Sequence, residues 1–189
     1  MPTTTKGLPY PSPANIPDVP GDIQRLAEAL DPRLPGLKQG ITTGAFTVNN
    51  SAVMTDDPAF RWTFPSGAAG FYRVELVTGY ACSAAGADVQ QAWRATGDVT
   101  FQSRFVLGAE TATTSVAATL MAARPAATFT SAQIFGVIPT NNSHVREDLI
   151  VQVGGTGGYL QFQFAQAVAT VADLVRFTNS FMVVTPLGT

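Results

Sequence analysis

The sequence predicts an all-β domain, a sandwich or barrel, preceded by an extended arm and one short helix. Three observations predict it. From Gly40 onward, apolar and polar residues alternate in short runs separated by clusters of glycine, proline, aspartate and serine. Roughly eight to ten such runs follow one another with no second helical pattern, as a sandwich or barrel requires. Upstream, six prolines fall within residues 1–21, where their fixed φ and missing donor prevent a sheet ladder. With 189 residues, 46% of them hydrophobic, the chain can bury the core of one domain and carry an arm, and general disorder is excluded.

Taken in order, residues 1–21 form the arm. Leu8, Tyr10, Ile16 and Val19 are interleaved with its prolines. A solvated tail has no use for them, whereas an arm laid along a partner uses such side chains as anchors. Asp18 to Asp31 carries the helix signal. Asp18 suits the cap, Pro20 the first turn, and Asp22 the positive end of the helix. Ile23, Leu26, Ala27 and Leu30 fall at i, i+3, i+4 and i+7 and make one apolar stripe, while Arg25 and Glu28 face away. A helix of about three turns is marginal alone, so the stripe packs either on its own domain or on another protein. Asp31-Pro32 ends it, and Pro32, Pro35 and Gly36 form a linker. The expected organisation is therefore a docking segment over residues 1–37 and a β domain over residues 38–189.

Within the β domain, Ile41 to Val48 alternates loosely, and Phe60 to Phe64 alternates with period two before the turn Pro65-Ser66-Gly67. Phe71 to Cys82 places Phe71, Arg73, Glu75, Val77 and Gly79 on one face and Tyr72, Val74, Leu76, Thr78, Tyr80 and Cys82 on the other. Ala85 to Asp88 reads as a turn. Ala92–Thr96, Val99–Val106, Thr113–Ala122, Ala127–Ile134 and Phe135–Ile138 read as further strands. Leu149–Val153 and Tyr159–Phe164 flank Gly154-Gly155-Thr156-Gly157-Gly158 and read as a hairpin. Leu174–Phe177 and Ser180–Val184 complete the series.

Charge narrows the function classes. Charged residues make up 13% of the chain, about half the usual share. The net charge is −2 and no basic cluster occurs, which argues against nucleic-acid binding by phosphate neutralisation. No apolar run approaches the ~20 residues of a membrane helix. Met1 to Ala14 is polar and proline-rich, unlike a secretory signal. One cysteine, Cys82, and one histidine, His144, do not supply a disulfide framework or a Cys/His zinc site, and no cofactor is expected. Lys6 and Lys38 are the only lysines, so charges that blunt exposed sheet edges are scarce, and burial of edges and faces in an oligomer is expected.

Candidate chemistry is sparse. The glycine-rich segment 154–158 lacks the Lys-Ser/Thr and helix start of a phosphate loop. His144 lies beside Ser143, Glu147 and Asp148, the types a hydrolytic triad uses, but no G-x-S-x-G elbow exists, and a loop histidine is the plainer reading. Asp56-Asp57 before Pro58 reads as a solvated turn in preference to an acid/base pair or a calcium loop. Cys82 reads as a small buried hydrophobe. Trp62 and Trp93 would serve only one small glycan platform. A small β-fold hydrolase acting on cell-wall glycan, or a sugar-binding module, is the alternative from another class.

Two stretches carry a resemblance. Gly7-Leu8-Pro9-Tyr10-Pro11, followed by Ile16 to Asp31, resembles the N-terminal segment of small virion proteins of tailed actinobacterial phages: head-decoration, fibre and minor tail proteins. Leu149 to Leu187, with Leu160 to Gln166 and Asn179 to Val184, looks like the ending of a tumour-necrosis-factor/C1q-type jelly roll. The resemblance implies a homotrimeric jelly roll in the virion, on the capsid exterior or the tail. Its partners would be other copies of itself, the major capsid protein or tail proteins and, for a tail location, a host-surface glycan. It implies docking through Leu8, Tyr10, Ile16, Val19, Ile23, Leu26 and Leu30. A threefold axis would be lined by Phe101, Phe105, Tyr159, Phe162 and Phe164. A jelly-roll trimer buries one sheet face of each subunit, which suits an apolar chain poor in charge.

Overall fold

The structure, a computed structural model, describes residues 44–83, 87–111, 121–139 and 143–188. The chain divides into two units, Met1–Leu37 and Lys38–Thr189, and the described residues all belong to the second. The expected arm and the helix Asp18–Asp31 lie outside the described residues, as does most of the expected strand Thr113–Ala122.

Every regular element among the described residues is a strand: β1 (Phe46–Asn49), β2 (Thr55–Phe64), β3 (Gly70–Cys82), β4 (Val89–Ala109), β5 (Met121–Pro125), β6 (Gln133–Phe135), β7 (Ser143–Gln166), β8 (Asp173–Arg176) and β9 (Phe181–Gly188). They form one sheet of order β1-β8-β3-β7-β4-β5, with β2 added to β7, β6 to β4 and β9 to β3. All the strand pairings are antiparallel. The fold is thus all-β, as the alternation predicts.

The long strands β4 and β7 form the spine. They pair from Val89↔Gln166 to Leu107↔Arg146, and both bend near the middle. Between Gly97↔Gly158 and Val99↔Val153, four residues of β7 oppose the single residue Asp98 of β4. Gly97 and Gly157 take φ of 69° and 70° there, a region that costs residues with a Cβ. This corrects the expected hairpin at Gly154–Gly158. The two halves of β7 each pair with β4 and never with each other, so the glycines make a four-residue bulge in one continuous strand. The same bend joins the two expected strands Ala92–Thr96 and Val99–Val106 into β4.

The bend curls the sheet into two layers. The first holds β2, the second half of β7, the first half of β4 and β6. The second holds β9, β3, the first half of β7, the second half of β4 and β5. The layers face each other across one core. Phe64 lies 4.9 Å from Tyr72 between ring centroids, and Tyr80 lies 5.4 Å from Phe164. Trp93 and Phe60 pack edge-on against Phe162, which stacks on Phe164. Each such ring buries a large apolar area. The alternation read in Phe71–Cys82 holds: Val74, Leu76, Thr78, Tyr80 and Cys82 are buried, and Arg73, Glu75 and Val77 stay part-exposed. Ala127–Ile134 departs from expectation. Thr128 caps a turn through the Ser131 amide and hydroxyl, and only Gln133–Phe135 joins the sheet. Residues 136–138, expected as strand, follow without regular structure.

Candidate functional site

Two buried acids, Glu147 and Asp57, are held in ion pairs inside the fold. Glu147 points from β7 into the core, where its side chain and that of Arg104 have no exposed surface. Arg104 donates to Glu147 through Nε at 2.9 Å and through Nη2 at 3.0 Å. Trp93 Nε1 donates to the same carboxylate at 2.6 Å and Gln91 Nε2 at 3.0 Å. The remaining guanidinium protons reach the carbonyls of Ser131, at 2.8 Å, and Gln91, at 3.2 Å. A buried carboxylate held by four charge-assisted or indole donors is fastened, with no lone pair left for a substrate.

Asp57 repeats the pattern and corrects the expected solvated turn at Asp56-Asp57. It is fully buried and takes a two-pronged contact from Arg176 of β8, at 2.7 and 3.1 Å. The Ala59 amide donates to it at 3.0 Å. Arg176 also donates to the carbonyls of Gly44 and Phe177, each at 3.0 Å. Asp56 pairs with Arg94 and accepts from Gln163 at 2.7 Å. His144 stands at the start of β7, exposed, with its ring over Gly79. Cys82 is buried, as expected. Among the described residues, no group of His, Cys, Asp and Glu is placed to hold a metal ion.

The two outer faces of the curled sheet differ. On the first layer, the outward residues are Asp56, Arg61 and Thr63 of β2, Tyr159 and Gln163 of β7, and Arg94 of β4. Arg61 lies 3.9 Å over the Tyr159 ring, and Arg94 lies 5.8 Å from it. This face is polar. On the second layer, Arg73 and Glu75 of β3 and Arg146 and Asp148 of β7 form a closed quartet. Arg73 meets Asp148 at 2.7 Å and Glu75 at 3.1 Å, and Arg146 meets Glu75 at 2.8 Å and Asp148 at 3.4 Å. The hydrogen bond that Arg73 donates to Asp148, then the charges of Asp148 and Glu75, raise the Arg73 pKa. Around the quartet stand apolar side chains: Phe71 and Val77 of β3, Val183 of β9, Ile150 of β7, and Phe105 and Leu107 of β4. Phe105 is 47% exposed, Phe71 37%, and Met121 of the bordering β5 54%.

The residues expected at a threefold axis do not share one surface. Phe162 and Phe164 are fully buried in the subunit's own core and have no surface to offer a neighbour. Phe101 is half-buried against Phe129, at 5.4 Å between ring centroids. Tyr159 lies on the outer face of the first layer, and Phe105 on the outer face of the second. Leu8, Tyr10, Ile16, Val19, Ile23, Leu26 and Leu30 lie outside the described residues. The apolar ring formed with Phe71, Val77 and Val183 escaped the sequence reading, although Arg73, Glu75 and Val77 share one face by simple alternation.

The sequence matches no protein-family model and no curated protein.

Proposed function

We propose that this chain is a structural protein of a bacteriophage virion. The β domain, a jelly-roll-type homotrimer, decorates the exterior of the head, and residues 1–37 fasten it there. One observation carries the reading of a protein built for assembly: a subunit poor in charge presents a layer whose outer face carries a charge-neutral quartet ringed by apolar side chains, Phe71 and Phe105 exposed among them. Such a surface is costly to leave in water and useful in an assembly. The resemblance of residues 7–31 to virion segments supplies the particle. The consumption of Glu147 and Asp57 in closed networks supports a scaffold over a hydrolase. Three arms on one trimer add weak contacts into strong avidity, so attachment needs no reaction.

The test is attachment. Removing residues 1–31 is expected to leave a folded oligomer that no longer binds particles. Unchanged binding by the shortened protein refutes docking through the arm. Quantifying the protein against the major capsid protein in purified virions separates head from tail: many copies per particle fit decoration, and only a few trimers fit a minor tail or fibre protein.

A further inference from the structure

We infer that the outer face of the β9-β3-β7-β4-β5 layer is the surface through which copies of this chain meet one another. The inference rests on the proposed trimer for the number of copies alone. Phe71 and Phe105 are exposed at 37% and 47%, on strands either side of the β7 charges, and the face of the first layer has no such pair. The charges between them are two arginines and two acids, each arginine touching both acids. The face therefore has no net charge. A strongly basic or acidic partner gains little from it, whereas an identical face approaches it without repulsion. Covering the quartet also leaves no charge unpaired, which is the costly outcome of burying ions.

The size fits. Five strands at ~4.8 Å spacing and about eight residues of ~3.3 Å rise span roughly 600 Å² of flat sheet. Side-chain relief brings that near the ~800 Å² per partner of a standard interface. Around a threefold axis each face would meet two neighbours, and across a twofold axis it would meet one.

Sedimentation velocity on the full chain tests the inference, with variants on each face. The wild type is expected at a multiple of 19.8 kDa. Phe105→Glu is expected to weaken self-association at least tenfold and give the single-chain mass with an unchanged circular dichroism spectrum. Arg146→Glu, at a half-exposed side chain, gives the face a net charge of −2, because Arg73 then opposes three acids. Its identical faces repel, so it is expected as a monomer at low salt and as an oligomer near ~1 M salt, where repulsion is screened. Arg61→Glu, on the other face, is expected to leave the mass unchanged. A monomeric wild type overturns the inference and leaves the face to a different partner. So does an Arg146→Glu variant that stays assembled at low salt. A dimer broken by these changes keeps the interface and removes the trimer; loss of particle attachment with the oligomer intact concerns the arm alone.

Discussion

Arg104 and Glu147, on the neighbouring strands β4 and β7, form an ion pair with both side chains wholly inside the core, and Trp93 from the facing layer donates to the same carboxylate. The pair joins two strands of one layer, and the Trp93 and Gln91 donors tie its carboxylate to the other layer. Taking two charges from water costs several kcal/mol each, and the four donors on Glu147 offset that cost. Removing Arg104 leaves the Glu147 charge buried without a counter-charge, held only by the Trp93 and Gln91 donors. Arg104→Met is therefore expected to destabilise the fold by about 3–5 kcal/mol, whereas Arg104→Met with Glu147→Leu recovers much of the loss. Urea unfolding of the single and double variants measures both. A single variant costing under ~1 kcal/mol would mean the layers are held without this pair.

The alternation of Phe71–Cys82 made β3 legible, because a half-buried strand must show its faces with period two. The same rule applied to Tyr159–Phe164 separates Tyr159, Gln161 and Gln163 from Leu160, Phe162 and Phe164, and so places the two phenylalanines in the core. Grouping them with Tyr159 at an interface broke that parity. The buried acids also left a trace. Glu147 sits in phase with Val145, Leu149 and Val151, and Arg176 with Leu174, each a charge at an apolar position. Alternation names such a residue but not its partner, since Arg104 lies 43 residues away and Asp57 119 residues from Arg176. The bend at Gly154–Gly158 was illegible for a related reason: five small residues between two β runs suit a hairpin and a bulge equally, and the pairing with β4 decides between them.

Asp88 gives a pH dependence with a definite sign. Burial raises its pKa from 3.8, partly offset by the Val137 amide, which donates to it at 3.3 Å. A carboxyl whose folded pKa is raised favours folding when protonated. That contribution is complete below the ordinary carboxylate pKa and is lost as pH rises through the elevated folded value. Asp88→Asn keeps an acceptor for Val137 and removes the half-buried charge. It is expected to raise the melting temperature at pH 7 and to have little effect below pH ~3.5, where both forms are neutral. Melting curves across that range check it; a destabilised variant at pH 7 would show that the charge itself is needed.

Cys82 reports on opening of the core. Its side chain lies at 3% exposure on β3, and its Sγ donates to the Val137 carbonyl at 3.5 Å. A disulfide reagent reaches it only when β3 separates from the segment beyond β6, so reaction is expected to be slow in buffer and to reach one equivalent in urea. The native rate is expected to fall further in any variant that stabilises the fold. Immediate labelling of the folded protein would place that edge of the sheet open on the timescale of mixing.

The central bend separates glycines that need their lack of a side chain from glycines that do not. A Cβ on Gly97 would sit 2.6 Å from the Gly157 carbonyl oxygen, and its φ of 69° is strained for any residue with a side chain. Both obstacles are backbone, so nothing nearby can swing aside. Gly155, three positions before Gly158, has nothing within 4 Å of its own Cβ position. Gly97→Ala is expected to cost about 2–4 kcal/mol, combining left-handed strain with displacement of β7. Gly155→Ala is expected to lie within about 0.5–1 kcal/mol of the wild type, with any gain arising from a stiffer unfolded chain. Thermal and urea unfolding of the two variants distinguish a bend fixed by backbone contact from one that merely tolerates glycine. Equal stability of the two would count against β4 and β7 turning together at this point, and with it against a curl set by their paired bulge.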